Sequence, residues 1–86
     1  MVLAAVGLND FVMCQITSNP YSDLLAIPLT DASFTAGSLH RSSFARPGKL
    51  FTAHHSLIRA RVGWLTTEAF QEIQGAVITL LAPRTG

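Results

Sequence analysis

A change of hydrophobic period near residue 66 constrains this chain more than any other feature. Before it, apolar residues come in short runs separated by turn formers. Val2 to Val6 is closed by Gly7 and by Asn9-Asp10. Phe11 to Thr17 is rich in β-branched and aromatic residues and lies between Asn9-Asp10 and Ser18-Asn19-Pro20, which predicts a strand. Leu24 to Leu29 is a third run, and Pro28 near its end suits an edge or a bulge. Thr30 to Ser38, with Asp31, Ser33 and Gly37, reads as a loop. Ser42 to Ala45 is expected to be a strand that ends in a turn at Arg46-Pro47-Gly48. Leu50 to Ala53 and Ala60 to Leu65 complete the strands, joined by a polar turn at His54 to Ser56.

From Thr67 onward the apolar residues fall at Phe70, Ile73, Val77 and Leu80, with Ala69, Ala76 and Leu81 beside them. That spacing draws one apolar stripe along a helix. Thr66 is the expected N-cap, Glu68 sits where the helix dipole favours a negative charge, and Pro83 stops the helix. Gly75 inside it costs about 1 kcal/mol relative to Ala, so the helix needs a surface to pack on. Short strands followed by one amphipathic C-terminal helix predict a mainly β fold: a small, strongly bent barrel with a helix against it, in a single domain over residues 1–86.

Composition narrows the function. The chain is 49% apolar and 13% charged, which excludes a disordered protein. Six Lys and Arg against five Asp and Glu leave a net charge of +1, so a polyanion must be gripped locally rather than by a basic surface. A chain of 86 residues buries only about 60–65% of its unfolded surface. So apolar a surface on so small a body predicts a covering partner, an oligomer or a complex. The lone Cys14 cannot form an internal disulfide and suits a reducing compartment. Met1 to Val6 has no basic region before it and is not read as a signal peptide, and no apolar run reaches the length of a membrane helix. His40, His54 and His55 have no Cys or carboxylate at ligand spacing, so no metal is expected. A soluble cytoplasmic protein is the expectation.

Three places could carry chemistry. In Cys14-Gln15-Ile16-Thr17-Ser18-Asn19-Pro20, two hydroxyls and an amide lie where a strand meets a turn, a common place for a site on a rigid scaffold. The plainer reading, that Ser18 and Asn19 start a side-chain-capped turn before Pro20, is preferred on the residues alone. Cys14 shares its strand with Val12 and Ile16 and reads as packing, since no basic neighbour lowers its pKa. The segment from Arg41 to Thr52 holds three of the six basic residues, Arg41, Arg46 and Lys49, together with Phe44 and Phe51. Cations with aromatics suit single-stranded nucleic acid. The aromatics read better as core, whereas Arg46 and Lys49 stand open between a solvated hairpin and a binding site. His54 and His55 titrate near neutrality, but alternation along a strand would point them apart, and a turn role is preferred. Glu68 and Glu72 share a solvated helix face as like charges.

Four pieces then resemble one family. Ile16-Thr17-Ser18-Asn19-Pro20, Ala26-Ile27-Pro28-Leu29, Ser43-Phe44-Ala45-Arg46-Pro47-Gly48-Lys49-Leu50-Phe51-Thr52, and Val62-Gly63 with Leu65 are similar, in order and spacing, to the MazF/PemK toxins. The similarity runs from about Val2 to the end of the helix. It implies a MazF/CcdB-like, SH3-like small barrel that forms a homodimer. It also implies the toxin of a type II toxin–antitoxin system, an endoribonuclease that cuts single-stranded RNA without metal or cofactor. The ribose 2′-hydroxyl attacks the adjacent phosphate, so such an enzyme supplies positioning, proton transfer and stabilisation of the pentavalent phosphate. Thr17 matches a family active-site residue and would act as a stabilising donor. Ser18 beside it, Arg46 and Lys49 would bind substrate. The implied partners are a cognate antitoxin and, through that complex, operator DNA, with no membrane.

The family's other catalytic residue is an Arg just before a Pro, preceded by a first strand and a loop. In this sequence Met1 falls at or just after that position, so the resemblance implies an N-terminally truncated barrel. Either the true start lies upstream or the toxin is shortened. The competing function is a non-catalytic remnant that binds antitoxin and, with it, operator DNA.

Overall fold

The computed structural model describes residues 1–39, 41–60 and 62–83. His40, and Arg61 inside the expected Ala60–Leu65 strand, lie outside the described residues. The chain is mainly β with one C-terminal helix. Its strands are β1 (Val2–Val6), β2 (Asp10–Thr17), β3 (Ile27–Leu29), β4 (Phe34–Gly37), β5 (Ser43–His54) and β6 (Gly63–Leu65), and the helix α1 spans Thr67–Leu81. Short 3-10 turns cover Asp31–Ser33 and His55–Leu57. Four strands make one antiparallel sheet in the order β1-β2-β5-β3, which curls into a half-barrel, and β4 pairs with β6 in a separate ribbon. Among the described residues no helix is long and apolar enough to cross a membrane.

The centre of the sheet is the pairing of β2 with β5, and it corrects the sequence reading. Ser42–Ala45 and Leu50–Ala53 are not two strands around a turn; they belong to one strand of 12 residues that runs through Arg46-Pro47-Gly48. Cys14 faces Leu50 while Gln15 faces Arg46, so residues 47–49 are extra on β5 and form a bulge. Proline has no N–H to lose from the ladder, so a bulge accommodates Pro47 without a broken bond. Pro47 is among the largest fully buried side chains, and Cys14 Sγ donates to the Arg46 carbonyl at 3.2 Å where the ladder opens.

Three other expectations shift. Only Ile27–Leu29 of the Leu24–Leu29 run is strand. Asp23 Oδ1 accepts the Leu25 N–H at 2.9 Å, which holds residues 23–26 in a turn and leaves Leu24 in water. The expected Thr30–Ser38 loop contains β4, whose partner β6 lies far along the chain. The sixth strand is confined to Gly63–Leu65.

The helix begins as the sequence predicts. Thr66 Oγ1 accepts the Ala69 N–H at 3.0 Å, and Glu68 lies in the first turn. Ile73 and Val77 carry its buried face, whereas Leu80 at the end of the stripe is exposed. Ile73 reaches the centre of the core, among Cys14, Leu29 and Ala45, with Leu3, Ile16, Phe34, Leu50 and Leu65 around them. The helix therefore closes the side of β2 and β5 that carries Cys14 and Ala45. Residues alternating with those two, Gln15, Thr17, Phe44 and Arg46, belong to the opposite face.

Candidate functional site

Thr17 ends β2 opposite Phe44, and Gln15 two residues earlier stands opposite Arg46. This pairing puts Thr17 diagonally across from Arg46 on one face, a relation of about 7–8 Å in an antiparallel sheet. Gln15 Oε1 accepts from Arg46 Nη1 at 3.1 Å, which ties the guanidinium to β2.

Beyond Thr17 the chain turns back on its own side chains. Thr17 Oγ1 accepts the Asn19 N–H at 3.2 Å and donates to the Asn19 carbonyl at 3.1 Å. Asn19 Oδ1 then accepts the Tyr21 N–H at 2.9 Å. The turn reading of this segment thus describes its ground state, as local hydrogen bonding by Thr and Asn favours. Ser18 is exposed and makes no hydrogen bond through its side chain to a described residue.

The turn ends at Asp23, which reaches across to β5. Asp23 Oδ2 accepts from Arg46 Nε at 2.8 Å, the one ion pair among the described residues. The Arg46 hydrogen bond first, and the Leu25 N–H second, hold the Asp23 carboxyl below the usual carboxylate range. Lys49 adds a smaller pull in the same direction. Arg46 uses two of its five N–H groups here, so three remain for another acceptor.

Around this pair lies a hollow of about 320 Å³, lined by Tyr21, Ser22, Asp23, Arg46, Gly48 and Lys49. The bulge in β5 brings Arg46 and Lys49 to its wall together, where a tight turn had been expected to carry them. Of the four residues expected in a site, these two share the hollow, Thr17 lies on the sheet face beside it, and Ser18 does not line it. A second hollow of about 340 Å³ lies between Thr30-Asp31 and Arg41-Ser42, over Leu29 and Phe34, and holds none of the four.

Sequence reading missed Asp23, Gln15 and Tyr21 as parts of this arrangement. Asp23 meets Arg46 from 23 positions away, a contact with no local signal. The cue available was the scarcity of charge: an acidic residue in so weakly charged a chain invites a search for its cation.

The other candidates are structural. Burial pushes the Cys14 thiol up, away from a reactive thiolate. His54 ends β5 and His55 begins the 3-10 turn, so strand alternation does not separate them, and their rings stand 4.3 Å apart. His54 Nδ1 accepts the Ser56 N–H at 3.2 Å and meets Ser56 Oγ at 2.8 Å, which makes His54 the cap of that turn. Among the described residues no three His, Cys, Asp or Glu side chains gather at one point. No protein-family model matches the sequence, and no curated protein is significantly similar to it.

Proposed function

We propose that this chain is an endoribonuclease of the MazF/PemK toxin type, with an SH3-like barrel, that cuts single-stranded RNA without a metal. The observation that carries the reading is the outer face of the β2–β5 pair. A hydroxyl donor, Thr17, stands on that face diagonal to Arg46, and Arg46 and Lys49 together line the hollow beside it. In the reaction the ribose 2′-hydroxyl gives up its proton as its oxygen bonds to phosphorus, the bond to the 5′-oxygen breaks and that oxygen takes up a proton, and a 2′,3′-cyclic phosphate remains. Thr17 turns its hydroxyl from the Asn19 carbonyl to a phosphate oxygen, and the unused N–H groups of Arg46 meet the charge that builds on the phosphorane. Ser18 and Lys49 hold the strand on either side. The same reading carries a cytoplasmic homodimer, a cognate antitoxin as partner, and operator DNA bound through the antitoxin complex.

One observation favours a second reading, a non-catalytic barrel that binds antitoxin. Arg46 is already held by Asp23 and Gln15, and the Thr17 hydroxyl is closed on its own turn. A gel assay on single-stranded RNA in EDTA separates the two. Cleavage that persists in EDTA and falls in Thr17→Ala supports the ribonuclease. A folded protein that leaves RNA intact and captures an antitoxin supports the second reading.

A further inference from the structure

Tyr21 is the one residue other than glycine among the described residues with a positive φ, +55°. Side chains other than Asn and Asp rarely adopt that conformation. The strain brings no burial with it, because Tyr21 is 78% exposed and its phenol oxygen bonds to no described residue. The backbone is fixed on both sides, by Asn19 Oδ1 on the Tyr21 N–H and by the Asp23 carboxylate two residues on. A rigid turn thus holds an aromatic ring at the edge of the hollow that Arg46 and Lys49 line. Strain held in place by its surroundings points to a function for the residue that bears it.

We infer that this hollow binds one nucleotide of a single-stranded nucleic acid, its base stacked on Tyr21 and its phosphate on Lys49 and the unused N–H groups of Arg46. The inference deepens the nucleic-acid reading above and rests on it. The hollow's volume of about 320 Å³ is at the lower end of small-ligand sites, room for a single nucleotide. Two cations stand there against one carboxylate, a local positive balance in a chain whose net charge is only +1. Gly48 contributes no side chain to the wall between the half-buried Arg46 and the exposed Lys49. Every base has a π-face, so Tyr21 grips the strand without reading its sequence.

The chain has a single tyrosine, so its ring protons form one unmistakable NMR spin system. The titrants are adenosine and uridine 5′-monophosphates and a short RNA with methylated 2′-oxygens, which binds but cannot be cut. Both nucleotides and the RNA are expected to move the Tyr21 ring signals upfield. Tyr21→Gly should weaken RNA binding about 10-fold, within the range for loss of one stacked base. The same variant should be at least as stable as wild type, since glycine accepts this φ freely, and a merely structural tyrosine would not split the two effects. Tyr21→Phe should bind like wild type. RNA binding that leaves the ring signals in place, or is unchanged in Tyr21→Gly, overturns the inference without touching the cleavage result. Upfield shifts with no cleavage of unmodified RNA leave this site standing and reject the ribonuclease. Ring shifts that follow protein concentration and ignore nucleotides make the patch a protein contact, and the inference is then wrong.

Discussion

Arg46 Nε donates to Asp23 Oδ2 at 2.8 Å, and through that bond the turn after β2 is fastened to the bulge of β5. Two segments distant in sequence are joined at the rim of the hollow. An ion pair near the surface contributes little to stability on its own. Its larger effect is positional: the guanidinium is aimed, Lys49 is left beside it, and Tyr21 is held in place.

That bond gives stability a signature in acid. The carboxyl of Asp23 titrates lower in the folded chain than in the unfolded one, mainly because of the Arg46 hydrogen bond. A lowered folded value means its contribution is complete above the ordinary value near 3.8 and disappears as pH falls through the lower folded value. Asp23→Asn should therefore be less stable than wild type by a constant margin near neutrality. The margin should close in the acid range below 3.8. Urea midpoints of both proteins across that range measure it, and a margin independent of pH would free Asp23 from this role.

Thr17 divides hydroxyl chemistry from turn structure. Thr17→Ala removes a donor to a charged phosphate and should slow RNA cleavage about 10- to 150-fold. Thr17→Ser keeps both the donor and the turn and should retain most of the rate. Single-turnover rates on one labelled RNA compare the three proteins. Equal loss in the two variants would mean that the methyl group, not the hydroxyl, matters.

Local signals made some elements readable and left others hidden. Thr66 at the N-cap, Glu68 in the first turn and the Ile73–Val77 stripe belong to one short segment, so α1 could be read directly. The buried face of the stripe ends at Val77, because Leu80, although it borders Gly48 of β5, stays exposed. β4 could not be read, since Phe34–Gly37 becomes strand only by pairing with Gly63–Leu65. Arg46-Pro47-Gly48 carries a turn signal that pairing with β2 overrides, and the bulge is the compromise between them. The cations of the hollow were visible as residue types. Their meeting with Asp23 and Tyr21 was not, because tertiary contact alone creates it.

The surface predicts association. Leu25 and Leu80 both border Gly48, each with a methyl carbon 3.9 Å from where a Cβ would stand, and both are exposed. Ile78 and Leu81 of α1 are exposed as well. Light scattering at micromolar concentration should give the mass of a dimer. A monomer mass there would reject the homodimer and, with it, that part of the toxin reading.

Core packing sets the scale for stability. Ile73 is fully buried between Cys14, Leu29 and Ala45, so Ile73→Ala should cost about 2–5 kcal/mol, enough to unfold much of a domain this small. Its exposed neighbour Gln74 serves as the control, and Gln74→Ala should stay within about 0.5 kcal/mol of wild type. Urea denaturation reads both. A cost under 1 kcal/mol for Ile73→Ala would place the core elsewhere.

Two glycines should respond in opposite directions to the same methyl group. Gly75 lies inside α1, and a Cβ there meets no atom within 4 Å. Glycine weakens a helix because the unfolded chain has more conformations to lose, so Gly75→Ala should stabilise the protein by about 0.5–1 kcal/mol. Gly37 ends β4 at a φ of +72°, and its partner in the ribbon is Gly63. A Cβ at Gly37 collides with the Val62 carbonyl oxygen and comes to 2.6 Å from the Gly63 Cα. Both atoms are backbone and cannot turn aside as a side chain would. Gly37→Ala should therefore cost about 1–3 kcal/mol through backbone strain alone, and more if the ribbon separates. Thermal melts of the two variants beside wild type give the signs at once. If Gly37→Ala melts no lower than wild type, the close pairing of β4 with β6 does not hold the chain as described.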